Sequence, residues 1–246
     1  MTDVLCYTIP MNPNIQIFKD LADLSQAAAG LFIDCANQAI AARGQFLVAL
    51  SGGGTPTATY RLLVGAPIDW PRVHIFWGDE RCVPVSDPGN SYAQARDVLL
   101  AHVPIPADNI HRVESELEPA AAAQAYAATL RGFGSPWPRF DLILLGMGDD
   151  GHTASLFPGS PVDESEPVIA MTAHYQDRPA NRVSLTPRVI NDARQVVFLV
   201  SGQSKSETLA SVLNGDYHPD VLPAQRIRPT DGILTWLVDE AAGSKL

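Results

Sequence analysis

The chain has 246 residues and carries 27 acidic residues against 17 Lys and Arg residues, a formal net charge of −10 at pH 7. Hydrophobic residues make up 46% and charged residues 18%, which is typical of a globular protein and not of a disordered one. The acidic balance argues against nucleic acid as a partner and means that a few local cations must hold any anionic ligand.

The predicted elements alternate between short β-rich segments and helical segments. Strands are predicted over 15–19, 46–50, 73–77, 110–113, 141–145, 168–172, 182–185 and 195–200. Helices are predicted over 25–43, 55–63, 91–102, 119–131, 187–193 and 205–213. The proline-rich segment 216–230 is predicted to be irregular, and 232–242 is predicted to be a strand or a helix.

The repeated order of strand, polar or glycine-rich turn and helix predicts an α/β fold. Several strands are continuous apolar runs, as strands covered on both faces require, so we expect a mostly parallel sheet with helices on both faces. We find no linker and no internal repeat and therefore expect one domain over 1–246. In such folds ligands bind at the carboxyl ends of the strands, so the turns there are expected to form one crevice.

The first such turn is the sequence SGGGT at 51–55, between a predicted buried strand and a predicted helix that Thr55 would cap. Glycines let the backbone approach a ligand closely, and a helix N-terminus presents N–H groups to an anion. A plain tight turn is the alternative, but three consecutive glycines exceed what a turn needs. The residues predicted to hold a phosphate here are Ser51, Gly52, Gly53, Gly54 and Thr55, with the two hydroxyls as donors.

The second turn, WGDER at 77–81, places Asp79, Glu80 and Arg81 at the end of the next predicted strand. Arginine matches phosphate and carboxylate groups with two parallel hydrogen bonds, so Arg81 is a candidate ligand for an anion. A local ion pair at the surface explains the same residues equally well.

The third turn contains the pattern G-x-G-x-x-G at Gly146, Gly148 and Gly151, which is superficially a dinucleotide-binding motif. Such a motif opens a long helix in the first βα turn of a domain, whereas this turn comes later and Pro158 interrupts the segment that follows. We therefore do not interpret it as a dinucleotide site.

The same turn continues into Asp150 and His152. Histidine changes protonation near neutral pH and suits general acid–base catalysis, and a neighbouring carboxylate can fix its tautomer. A structural histidine remains the simpler explanation for this residue taken alone.

Two more cations are candidates, Arg182 in NRVSLTP and Lys205 in SGQSK. Either could be an ordinary solvated charge. Lys205 follows a predicted strand at the edge where the other turns meet, and it is one of only three lysines, with Lys19 and Lys245.

Neither a metal site nor an export signal is indicated. Cys6, Cys35 and Cys82 are scattered and show neither a disulfide framework nor metal-ligand spacing. The segment 1–14 does not resemble a signal peptide, and no apolar run approaches the roughly 20 residues that cross a bilayer. We expect a cytoplasmic protein.

In this order, these segments resemble the 6-phosphogluconolactonase family across nearly the whole chain, from FLVALSGGGTP to GILTWLVDEAA. The stretch DGHTASLFPG is the most specific. The related glucosamine-6-phosphate deaminases carry a comparable DGH turn, but different residues follow it. They also usually have Asp-Glu-Tyr at the position of Asp79-Glu80-Arg81. A local departure from the family is the order Gly89-Asn90-Ser91-Tyr92, where many members have Ser-Asn-Tyr.

The resemblance implies a three-layer αβα, Rossmann-like fold and hydrolysis of 6-phosphoglucono-δ-lactone to 6-phosphogluconate, the second step of the oxidative pentose phosphate pathway. It implies a phosphorylated sugar lactone as the partner, no metal or organic cofactor, and neither nucleic acid nor membrane. We expect a monomer or a weak homodimer. A sugar-phosphate isomerase or deaminase, a non-catalytic sugar-phosphate sensor and an NAD-dependent oxidoreductase are the alternatives.

These residues allow a mechanistic hypothesis. His152 is expected to deprotonate a water molecule and Asp150 to orient the imidazole. Asp79 is a candidate for binding sugar hydroxyls. The residues expected to hold the phosphate or the developing negative charge are Ser51, Gly52, Gly53, Gly54, Thr55, Arg81, Arg182 and Lys205.

Overall fold

The computed structural model describes residues 14–176 and 178–246. The predictions for residues 1–13, Cys6 among them, therefore lie outside the described residues. The strands are β1 (Asn14–Phe18), β2 (Phe46–Leu50), β3 (Val73–Trp77), β4 (Asp79–Arg81), β5 (Leu142–Gly146), β6 (Val168–Thr172), β7 (Asn181–Leu185), β8 (Gln195–Val200) and β9 (Ile233–Asp239). The α-helices are α1 (Leu21–Arg43), α2 (Gly54–Arg61), α3 (Ser91–Val98), α4 (Pro119–Arg131), α5 (Pro187–Asn191) and α6 (Ser206–Asn214).

A six-stranded sheet in the order β1-β9-β8-β5-β2-β3 forms the centre of the molecule, and all of its strand pairs are parallel. The chain leaves β2 toward β3 on one side, whereas β5 pairs on the other side. The strand order therefore reverses between β2 and β5, and the turns after these strands separate to leave a crevice.

Side chains alternate between the two faces of the central sheet and bury each of them under helices. On β2, Phe46, Val48 and Leu50 join the core formed with α1, α2 and α3. Leu47 and Ala49 join the opposite core, which contains α4 and α6. The predicted three-layer α/β fold with a mostly parallel sheet is confirmed.

A second sheet, in the order β4-β7-β6, is antiparallel and was not predicted. The segment Asp79–Arg81 was predicted as a polar turn, but it is β4, a short strand whose three residues are all buried. Its pairing with β7 places Arg81 opposite Arg182. Short polar strands lack an apolar alternation, so their pairing depends on a distant segment that sequence periodicity does not reveal.

Two helices begin earlier than predicted. Helix α1 begins before Ser25 because Asp20 caps it, accepting hydrogen bonds from the N–H groups of Ala22 and Asp23. Helix α2 begins at Gly54, and its N-cap is Gly53 with φ +111°. The prediction that Thr55 is the N-cap was wrong, because a glycine can make the sharp turn one residue earlier without a side-chain cap.

Four further segments correct the prediction or define it more closely. The predicted strand 110–113 is reduced to a single parallel bridge between Ile75 and Ile110. The predicted helix 91–102 ends at Val98 and is followed by a 3₁₀ turn, and segment 216–230 contains a 3₁₀ turn at Pro223–Arg226. Segment 232–242 contains the strand β9. In the part of the chain that the structure describes, no helix is both long and apolar enough to cross a membrane.

Candidate active site

A crevice with a volume of about 240 Å³ opens at the carboxyl ends of the parallel strands. The turns after β2, β5 and β8 line it, together with the adjacent ends of β4 and β7. All of the predicted site residues except Asp150 line it, namely Ser51, Gly52, Gly53, Gly54, Thr55, Asp79, Arg81, His152, Arg182 and Lys205. The turns therefore meet at one place, as the parallel topology requires.

Asp150 lies behind His152 and contacts it directly. Its Oδ1 is 2.6 Å from Nδ1 of the imidazole and accepts a hydrogen bond from the His152 backbone N–H at 3.1 Å. Burial opposes ionisation of this carboxyl, but its hydrogen bonds with His152 and the imidazole charge outweigh burial and lower its pKa below the usual range. An ionised Asp150 requires Nδ1 to carry a proton, which leaves Nε2 free to accept one.

Aromatic rings hold the imidazole of His152 in place. Phe157 stacks on it with ring centroids 4.4 Å apart, and Tyr175 meets it edge-on at 4.6 Å. Gly148 packs so closely that a Cβ there would lie 2.0 Å from Nδ1 of His152. The imidazole is therefore fixed in orientation before any ligand binds.

The glycines of the G-x-G-x-x-G pattern serve this turn. Gly148 donates a hydrogen bond to the backbone oxygen of His152 at 2.8 Å, and Gly151 has φ +82°, a conformation that favours glycine. The described chain contains no α-helix between β5 and β6, whereas a dinucleotide-binding turn opens one. The pattern thus shapes the Asp150–His152 turn.

The glycine-rich loop after β2 uses some of its polar groups internally. The Ser51 hydroxyl donates to the backbone oxygen of Leu144 at 2.7 Å and ties the loop to β5, while its role toward a ligand stays a prediction. The N–H of Gly53 donates to Oε1 of Gln94 at 3.0 Å. The helix α2 N-terminus, with Gly54 and Thr55, remains the part of this loop that can bind an anion.

Arg182 is the most deeply buried cation of the crevice, with 2% of its surface exposed. Its Nε and Nη2 have no hydrogen-bond partner among the residues the structure describes. Burial lowers its pKa, and the carboxylate of Asp79 counteracts that effect. A buried guanidinium with unused donors is costly unless an anion meets it, so Arg182 is suited to binding one.

Arg81 and Asp79 of β4 complete this wall. Arg81 donates from Nη1 to the backbone oxygen of Gly89 at 2.6 Å, while its buried Nε lacks an acceptor in the described residues. Asp79 accepts a hydrogen bond from the Ser155 hydroxyl at 2.6 Å. The wall therefore presents one carboxylate and two guanidinium groups to a ligand.

Glu80, the other carboxylate of this segment, does not join the site. It accepts hydrogen bonds from the backbone N–H groups of Arg81, Ser91 and Tyr92. Burial raises its pKa despite these bonds. Glu80 thus ties β4 to the start of α3.

Lys205 lines the crevice but is already paired. Its Nζ lies 2.9 Å from Oδ1 of Asp149 and donates to the backbone oxygen of Met147 at 2.6 Å. A solvated, unpaired charge would have neither contact. The lysine is thus tied to the turn after β5.

Tyr175 and Arg178 also line the crevice and were missed in the sequence. Both lie between β6 and β7, outside any glycine-rich turn after a parallel strand. Only the antiparallel pairing brings this connection to the crevice, so no local motif marks it. Among the described residues, no group of three or more His, Cys, Asp or Glu side chains is placed to hold a metal ion.

The sequence and the fold are similar to those of known proteins. The family model described as glucosamine-6-phosphate isomerases/6-phosphogluconolactonase matches residues 19–236. The chain is 39% identical over 241 residues to the 6-phosphogluconolactonase of Synechocystis sp., covering 96% of this chain and 99% of the relative. It is 39% identical over 249 residues to the enzyme of the same name from Mycobacterium tuberculosis, with 96% and 99% coverage.

Solved structures agree. The 6-phosphogluconolactonase of Trypanosoma brucei superposes with a TM-score of 0.84 at 29% identity, covering 96% of this chain and 99% of that chain. A monomeric glucosamine-6-phosphate deaminase superposes with a TM-score of 0.82 at 20% identity, covering 95% and 100%, and this similarity concerns the fold alone.

Proposed function

Because the chain belongs to the glucosamine-6-phosphate isomerase/6-phosphogluconolactonase family, we propose that it hydrolyses 6-phosphoglucono-δ-lactone to 6-phosphogluconate. One observation carries the assignment of its active site. His152, which Asp150 contacts from behind, and the buried Arg182, whose guanidinium has unused donors, line the same crevice, so a base and an anion-binding group can act on one small molecule.

His152 is the general base of the proposed mechanism. The lactone is an activated ester, so a water molecule can attack its carbonyl carbon once a base removes a proton. Nε2 of His152 takes this proton, and Asp150 stabilises the imidazolium that results. The new bond joins the water oxygen to the carbonyl carbon, and the carbonyl oxygen becomes an oxyanion.

Collapse of this intermediate opens the ring. The bond between the carbonyl carbon and the ring oxygen breaks, and the ring oxygen takes the proton from the imidazolium of His152. The products are a carboxylic acid, which ionises at neutral pH, and a hydroxyl group. His152 returns to its neutral form.

The phosphoryl group and the oxyanion need positive charge at two ends of the crevice. We assign these tasks jointly to the N-terminus of α2 with Gly54 and Thr55, and to Arg81, Arg182 and Lys205. Asp79 can accept hydrogen bonds from sugar hydroxyls. A phosphate anchored away from the reacting carbon supplies positioning, which can lower the barrier by several kcal/mol.

We also propose a cytoplasmic location, one domain over 1–246, and a monomer or weak homodimer that binds neither nucleic acid nor membrane. The net charge of −10 supports the exclusion of nucleic acid. The oxidative pentose phosphate pathway is the proposed setting.

The deciding experiment measures the disappearance of 6-phosphoglucono-δ-lactone at neutral pH with and without the enzyme. The uncatalysed control is essential because this lactone also hydrolyses spontaneously. We expect a rate proportional to enzyme concentration and no ammonia from glucosamine 6-phosphate. Ammonia release without lactone hydrolysis would replace the lactonase assignment with the deaminase alternative.

A further inference from the structure

The ion pair between Asp149 and Lys205 joins the turn after β5 to the segment after β8. Nζ of Lys205 lies 2.9 Å from Oδ1 of Asp149, and Lys205 has 21% of its side chain exposed against 42% for Asp149. Lys205 lines the crevice and Asp149 does not. The carboxylate therefore holds the ammonium from outside the ligand space.

Asp149 is itself held by several elements. The Ser204 hydroxyl donates to the same Oδ1 at 3.2 Å, and the Thr208 hydroxyl of α6 donates to the Asp149 backbone oxygen at 2.6 Å. The Asp149 N–H donates to the Tyr175 hydroxyl at 3.4 Å. The hydrogen bond from Lys205 is the main cause that lowers the pKa of Asp149, so this carboxyl is ionised at neutral pH.

An ammonium group has three N–H donors and no acceptor. Two of the three Lys205 donors go to Asp149 and to the Met147 carbonyl, which leaves one donor for a ligand. The charge of the ion pair sums to zero, so a phosphoryl group that approaches Lys205 is also repelled by Asp149. Arg182, in contrast, has unused donors and no ion-pair partner in the described chain.

We propose that Asp149 is a positioning residue that aims Lys205 into the crevice and, as its resident counter-ion, weakens the hold of the crevice on the phosphoryl group. This inference rests on the proposed function. The lactone and its product both carry this phosphoryl group, so Asp149 limits the affinity of the crevice for each of them.

The test measures binding of the stable product, 6-phosphogluconate, by calorimetry. Asp149→Asn keeps an oxygen that can accept from Lys205 and Ser204 but removes the charge, whereas Asp149→Ala removes both. We expect Asp149→Asn to lower the Kd by about three- to tenfold at low salt, with a difference that shrinks as salt is added. Asp149→Ala should bind less tightly than Asp149→Asn, because the ammonium loses an anchor.

Two controls isolate the phosphoryl group and the site. Gluconate, which lacks the phosphate, should bind wild type and Asp149→Asn equally. Asp69→Asn removes one charge at the opposite end of the sheet, where Asp69 pairs with Arg72 before β3, and should leave the Kd for 6-phosphogluconate within about twofold.

An unchanged or raised Kd for 6-phosphogluconate in Asp149→Asn would overturn the inference, as would an equal gain in gluconate binding. Lactone hydrolysis by the wild-type protein is measured on the same preparation. If the wild-type protein does not hydrolyse the lactone, the proposed function is wrong. If the wild-type protein hydrolyses it but Asp149→Asn does not bind 6-phosphogluconate more tightly, only the role of Asp149 is wrong.

Discussion

The two walls of the crevice differ in how far the polar groups of their side chains are already used within the protein. On the wall built by the parallel sheet, His152, Lys205 and Ser51 each already have a partner within the protein. On the wall built by the antiparallel sheet, Arg81 and Arg182 are buried with unused nitrogens. The first wall orients its groups in advance, which suits proton transfer, and the second keeps its binding capacity for an anion.

This contrast predicts its largest effect at the oriented base. His152→Ala should lower kcat by about 10²-fold or more, because general base catalysis contributes factors of this size. Steady-state rates above the spontaneous hydrolysis of the lactone provide the measurement. Near-normal turnover in a folded variant would remove His152 from the mechanism.

Arg182, which has unused donors, and Lys205, which is paired with Asp149, should differ in their effect on KM. Arg182→Met should raise KM for the phosphorylated lactone by about ten- to a hundredfold, since hydrogen bonds to charged groups are worth about 1.5–3 kcal/mol. Lys205→Met should raise it by only about threefold, because two of the three Lys205 donors go to Asp149 and Met147 and solvent screens this partly exposed ion pair.

An unphosphorylated lactone is the control for both variants and should show little change. Because Arg182 is buried, thermal unfolding of Arg182→Met and of the charge-retaining Arg182→Lys must accompany the kinetics. Equal effects of the arginine and lysine variants on a stable protein would show that the two walls do not differ as described.

The smallest expected effect is on the way the free energy of unfolding changes with pH. The folded pKa of Asp150 lies below its usual value of about 3.9, so its contribution to stability is complete above that pH and is lost as pH falls through the lowered value. Asp150→Asn should therefore flatten the acid side of the stability profile. Urea unfolding of both proteins between pH 3 and pH 7 provides the measurement, and an unchanged acid limb would contradict this role of Asp150.

Local patterns in the sequence were sufficient for the central sheet. Apolar runs such as 46–50 and 195–200 predicted strands that the structure contains with the same bounds, because a strand buried on both faces must be apolar throughout. The glycine-rich turn and the Asp150–His152 turn were also found from sequence, since each is a contiguous segment at the end of a strand.

Only the tertiary structure decided which groups of the site contact one another. The pairing of Arg81 with Arg182 joins residues about a hundred positions apart, and the ion pair between Asp149 and Lys205 joins different turns. The use of the Ser51 hydroxyl by β5 is of the same kind. Which donors stay free for a ligand depends on these distant partners and on burial, and neither is a property of a local stretch of sequence. The chain by itself therefore determined its layers and the place of its crevice, and folding decided which of the groups there are already satisfied.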